Sequence, residues 1–150
     1  MRTSNSASDN DNGSSPARPI KNGQNTDKHK LTILVVDDDE TNLKLARALL
    51  ESNGFTVVTA VDAMSTFEVL KDVDPALILM DIQLPGMDGW ELTRRLKKNI
   101  ATSHIPIIAL TAYGKHGDAE RAREAGFSEF VAKPVSTREL PSIIRKHVGG

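Results

Sequence analysis

Residues 33–42 read ILVVDDDETN. Four aliphatic residues run directly into Asp37, Asp38 and Asp39, and Glu40 follows. An unbroken apolar run of this kind suits a strand buried on both faces, as in a parallel sheet. The acids that end it repel one another, so they need a counter-charge or a task. Two chemistries could use them. They could form a nest for a divalent metal beside a nucleophile supplied from elsewhere. Alternatively, read as D-x-D-x-T through Asp37, Asp39 and Thr41, they could carry the nucleophile of an aspartate-based phosphohydrolase.

Working outward, similar runs recur: LTILVV at 31–36, TVVTA at 56–60, ALILM at 76–80, IPIIAL at 105–110 and EFVAK at 129–133. Helix-length segments separate them. Leu43, Ala46 and Leu50 form one helical stripe, Ala63, Phe67 and Leu70 a second, and Leu92, Leu96 and Ile100 a third. Asn53-Gly54 is expected to end the first helix and Gly126 to cap the fourth. Asp88 with Glu91, and Ser136 with Glu139, read as capping boxes for the third and fifth helices. Five β–α units in about 120 residues predict a doubly wound parallel sheet, flavodoxin-like, in the order 2-1-3-4-5.

Residues 1–30 differ from all that follows. Met1, Ala7, Ala17 and Ile20 are their only apolar residues. Such a segment buries too little surface to offset its ordering entropy, and a disordered tail is expected there. The whole chain is 150 residues, 39% hydrophobic and 26% charged, with a formal net charge of −1. That balance gives no reason to expect nucleic acid or an anionic membrane as partner. Cysteine is absent, which excludes disulfides and thiol chemistry. With no signal-peptide pattern and no apolar run long enough to span a bilayer, a cytoplasmic protein is expected.

In a doubly wound sheet, ligands sit beyond the carboxyl ends of the strands. The residues there are Asp37 and Asp38 after the first strand, Asp81 after the third, Thr111 after the fourth and Lys133 after the fifth; Asp62, after the second, reads as a helix cap. Neighbouring strands lie roughly 4.8 Å apart, so the first and third would gather Asp37, Asp38 and Asp81 around one cation. Carboxylates favour a hard divalent ion such as Mg²⁺. Lys133 would have roughly 10 Å to bridge to Asp81, across two strand spacings. A carboxylate nucleophile, a metal, a hydroxyl and an ammonium are the parts of phosphoryl transfer to an aspartate.

The motifs VVDDD, LILMDIQLPGMDG, IIALTA and FVAKP, in this order, resemble those of the response-regulator receiver domains, the CheY-like family, over residues 31–148. The spacings agree with that family: 43 residues from Asp38 to Asp81, 30 more to Thr111 and 22 more to Lys133. The resemblance implies that Asp81 is the phosphoacceptor and that Asp38, Asp37 and the backbone carbonyl of Gln83 hold Mg²⁺. It makes Thr111 and Phe130 the switch residues, gives Gln83 and Tyr113 a part in tuning hydrolysis, and makes Lys133-Pro134 a cis peptide. Regulators of the DivK type and receivers of hybrid histidine kinases look most similar. By the same resemblance the phosphoryl donor is a histidine kinase or histidine phosphotransfer protein. No further domain is expected after IIRKHVGG, and output is expected through a partner on the face of the fourth helix, fifth strand and fifth helix. The chain would catalyse its own phosphorylation without being an enzyme in the usual sense.

Singly, each residue has a plainer explanation: Asp38 or Asp39 as a helix cap, Asp81 as a turn residue before Pro85-Gly86, Thr111 as a strand-end hydroxyl, Lys133 on a solvated edge, Phe130 as core. Together, at four strand ends, these explanations would all have to hold at once. His104, His116 and His147 have no metal-ligand spacing and are expected in solvent. Trp90 should cover apolar surface. Gly114 and Gly117 should loosen the start of the fourth helix. Pro141 must either lie near the effective start of the fifth helix or bend it. The aspartate phosphohydrolase reading, which resembles the haloacid dehalogenases, leaves Asp81 without a role. A receiver-shaped scaffold acting by dimerisation is the third reading.

Overall fold

The computed structural model describes residues 30–111, 118–133 and 136–148. The expectations for the tail at 1–29, for Tyr113, Gly114, His116 and Gly117, and for the Lys133-Pro134 peptide fall outside these residues. Five strands alternate with five helices. The strands are β1 (Thr32–Val36), β2 (Thr56–Ala60), β3 (Leu77–Asp81), β4 (Ile107–Thr111) and β5 (Glu129–Ala132). The helices are α1 (Glu40–Ser52), α2 (Ala63–Asp72), α3 (Gly89–Lys98), α4 (Asp118–Ala125) and α5 (Glu139–His147). All pairings are parallel, in the expected order β2-β1-β3-β4-β5.

Alternation along each strand divides the apolar residues between two cores. Leu34, Val36, Ile78, Met80, Ile107 and Ala109 face α2, α3 and α4, where Ala63, Trp90, Leu92, Leu96, Ala122 and Ala125 meet them. Ile33, Val35, Leu77, Leu79, Ile108 and Leu110 face α1 and α5, against Leu43, Leu50, Leu140 and Ile144. Every residue of β3 and β4 is buried, which explains why their sequences read as continuous apolar runs. Each such Leu or Ile contributes about 1.5–3 kcal/mol by leaving water. At the β2 margin Arg47 of α1 donates to the Val57 carbonyl at 3.2 Å.

The helix ends follow their local chemistry. Asp39 caps α1, and Asp62 with Ser65 forms a reciprocal capping box on α2. Past α1, Phe55 N–H bonds the Leu50 carbonyl and Gly54 N–H that of Glu51; past α4, Phe127 and Gly126 repeat this on Ala122 and Arg123. Both are Schellman closures, with Gly54 and Gly126 at φ +92° and +108°.

Four expectations need correction or refinement. Ile100 is 92% exposed, because α3 stops at Lys98 and the turn beyond it is anchored instead by Thr102, whose hydroxyl donates to the Leu96 carbonyl at 2.6 Å. Asp88 accepts from Glu91 N–H, but the Glu91 carboxylate turns to Arg94 and Arg95 rather than closing a box. Ser136 accepts from the Arg138 and Glu139 amides without a reciprocal bond from the Glu139 side chain among the described residues, and α5 begins at Glu139, which leaves Pro141 in its first turn where no amide hydrogen is needed. His147 is largely shielded from solvent, with Nε2 2.7 Å from Glu129. His104 remains mostly exposed, beside Asp74.

Candidate functional site

β1 and β3 are neighbours, yet the chain leaves them in opposite directions, towards α1 on one face and α3 on the other. That divergence opens a crevice beyond their carboxyl ends. Val36 pairs with Met80, so one further step sets Asp37 beside Asp81. On the other side Thr111 pairs with Ala132, and Lys133 N–H donates to the Thr111 carbonyl at 2.6 Å. Strand register alone therefore carries four of the expected groups to one edge.

The three consecutive acids part company here. Asp39 is exposed and committed to its helix, its Oδ1 accepting from the Thr41 and Asn42 amides at 2.8 and 3.3 Å. Asp37 is buried, its Oδ1 accepting from Asp39 N–H at 2.9 Å and its Oδ2 from Asn42 Nδ2 at 3.2 Å. Asp38 stands exposed at the mouth. One carboxylate oxygen each from Asp37, Asp38 and Asp81 lie within 4.8 Å of one another. Asp39, caught up in its cap, is poorly placed as an acid/base for a nucleophilic Asp37.

Asp81 is only 6% exposed. Its Oδ1 accepts from the Gln83 backbone N–H at 3.0 Å, and its Oδ2 lies 3.3 Å from Lys133 Nζ. Burial pushes its pKa above the ordinary value and the Asp37 charge adds to that, against the Gln83 amide and the Lys133 ammonium. Lys133 crosses the expected gap and also comes within 3.4 Å of Asp37. Thr111 is buried at the same edge. Phe130, beside Ala109 in the register, packs against the core on the α2–α4 face.

Two residues escape a reading of the sequence. Asn42, in the first turn of α1, braces Asp37; its only signal is its place five residues after an acid at a helix start. Gly89 is the second. Its N–H donates to the Ile82 carbonyl at 2.8 Å, and a Cβ there would meet Ile82 Cα at 2.7 Å and the Asp81 carbonyl oxygen at 2.8 Å. Helix α3 thus starts in direct contact with the backbone that carries Asp81, a closeness that needs glycine.

With this geometry in place, the comparisons with known proteins agree on one kind of domain. The profile of the response regulator receiver domain matches residues 33–145. The polar-differentiation response regulator DivK of Brucella ovis is 36% identical over 118 residues, 79% of this chain and 96% of its own length. The receiver domain of sensor histidine kinase PA1611 from Pseudomonas aeruginosa superposes with a TM-score of 0.73 at 33% identity, over 81% of this chain and 99% of that one. That structure holds a magnesium ion coordinated in its active site cleft. A CheY-like receiver from Methanospirillum hungatei gives a TM-score of 0.73 at 29% identity, covering 80% of this chain and 94% of its own.

Proposed function

The chain belongs to the response regulator receiver family, and from that premise we propose that Asp81 is its phosphoacceptor, charged from a phosphohistidine on a histidine kinase or phosphotransfer protein. Its function is that of a response regulator in two-component, phosphorelay signalling. The observation that carries the assignment to Asp81 is the division of its carboxylate. One oxygen is held by the Gln83 amide and the other by Lys133, inside a cluster of three acids.

In the transfer, an Asp81 oxygen forms the new P–O bond as the donor's P–N bond breaks. The bonding pair stays on the imidazole nitrogen, which takes a proton from solvent. Lys133 and the Thr111 hydroxyl donate hydrogen bonds to the arriving phosphoryl oxygens, and Lys133 moves its weight from the carboxylates to the phosphoryl group. Asp37 and Asp38, with Asp81 and the Gln83 carbonyl, fit a hard divalent cation: the side-chain donors are all oxygens and three carboxylates face one ammonium. Mg²⁺ bound there supplies charge neutralisation between the acids and the incoming phosphoryl oxygens.

Thr111 and Phe130 carry the change in state to the surface of α4, β5 and α5, where a downstream protein docks. Gln83 and Tyr113 govern water access to the acyl phosphate, and Tyr113→Ala is expected to lose its phosphoryl group faster. Among the described residues no helix is long and apolar enough to cross a membrane.

The test is incubation with Mg²⁺ and acetyl phosphate followed by intact mass. The wild type gains one phosphoryl group and Asp81→Asn gains none. An adduct that survives Asp81→Asn and disappears with Asp37→Asn would overturn the assignment in favour of the D-x-D-x-T chemistry.

A further inference from the structure

Trp90 is the chain's one tryptophan, and it follows Gly89 directly. It is 7% exposed, with its indole edge-on to Phe127 at 5.7 Å and 84°. The Arg121 guanidinium of α4 lies over the ring, 4.3 Å from its centroid. Helix α4 has few other buried anchors among its described residues. Among its described residues only Ala122 and Ala125 are buried, and alanines contribute the smallest apolar contacts available. Among the described side chains of α4, the Arg121 cation over the indole is therefore a leading contact to the rest of the fold.

The other end of the path is the close backbone approach at Gly89. Nothing compressible separates Gly89 from Asp81 and Ile82. Close-packed groups transmit a displacement rather than absorb it. One turn further along the same side of α3, the Thr93 hydroxyl is buried without a hydrogen-bond partner among the described residues.

We propose that Trp90 is the joint between the Asp81 loop and α4, with Arg121 as its counterpart on the moving helix. Esterification of Asp81 displaces the 81–83 backbone. Gly89 passes that displacement to α3, the indole shifts beneath Arg121, and α4 changes its seat on the sheet. Trp90 and Arg121 are positioning residues, remote from the reacting atoms. The inference rests on Asp81 being the phosphoacceptor, and its test separates the two claims.

Tryptophan emission of the full chain is followed during treatment with Mg²⁺ and acetyl phosphate, with intact mass and amide exchange of residues 118–125 measured on the same samples. In the wild type, emission is expected to change in proportion to the adduct, and the α4 amides to change their exchange with it. Asp81→Asn should show neither. Arg121→Met keeps the aliphatic stem and removes the cation. It should reach the wild-type extent of adduct while its emission and exchange responses fall at least three-fold, and Arg121→Lys should recover most of both. A wild-type adduct with unchanged emission, or a full wild-type response in Arg121→Met, overturns the joint and leaves the phosphoacceptor standing. Failure of the wild type to form an adduct overturns the phosphoacceptor, and the joint with it.

Discussion

Lys133 is shared between two acids, 3.3 Å from Asp81 and 3.4 Å from Asp37. Its removal takes away the ammonium that meets the incoming phosphoryl oxygens, so Lys133→Ala should slow adduct formation by about 100-fold, measured by mass against time at saturating Mg²⁺. Asp81 carries a second, thermal signature. Its pKa is raised, so its ionised form is disfavoured in the folded chain, and metal-free stability falls as pH rises through that raised value. Asp81→Asn should therefore raise the metal-free Tm at neutral pH by a few degrees and remove this part of the pH dependence. Glycines of the same composition are not equivalent. A Cβ at Gly89 would strike backbone at 2.7 Å, so Gly89→Ala should destabilise by about 1–3 kcal/mol in urea titration and slow adduct formation as well. At Gly54 a Cβ meets nothing within 4 Å, and Gly54→Ala should cost only the left-handed conformation, about 1–2 kcal/mol, with the chemistry unchanged.

At the scale of elements, the start of α1 and the end of α5 make separate predictions. Asp39→Ala should lower stability by about 1 kcal/mol through loss of the α1 cap, yet leave the Asp81 adduct intact. Its loss of activity would instead point to the D-x-D-x-T chemistry. Helix α5 is tied to β5 through Glu129, which meets His147 at 2.7 Å and Lys146 at 3.1 Å. The His147 hydrogen bond, helped by Lys146, holds the Glu129 carboxyl below its ordinary value of 4.5 despite some burial. A depressed carboxylate stabilises above that ordinary value and loses its contribution as pH falls through the lowered one. The difference between wild type and Glu129→Gln should thus be about 1 kcal/mol at neutral pH and close as pH drops below 4.5 in thermal melts. The elements themselves were legible because strands covered on both faces cannot hide their apolar runs, and because Asp39, Asp62, Gly54 and Gly126 act on their immediate neighbours. What was illegible depends on distant partners. The third stripe continues in sequence to Ile100, but the backbone has already turned at Asn99. Glu91 chose Arg95 over its own cap, and His147 found a strand residue 18 positions earlier.

For the molecule as a whole, the acids of the site are a conditional weakness. Saturation with Mg²⁺ at about 100 times its Kd should add about 2.7 kcal/mol of stability, read as a rise in Tm. Asp38→Asn should lose most of that gain, since Asp38 contributes little else in the absence of metal. The location of the site was legible once the strand order was, because register alone sets Asp37 beside Asp81. Its bracing by Asn42 and its contact with Gly89 were not, because each depends on how a helix start sits against a loop. The sheet also acts as a partition. Its strands send alternate side chains into two interiors that share no residue, one roofed by α1 and α5 and the other by α2, α3 and α4. Mutation can then repack the interior under either roof on its own, so descendants of such a chain are free to rebuild one side of the sheet while inheriting the other untouched.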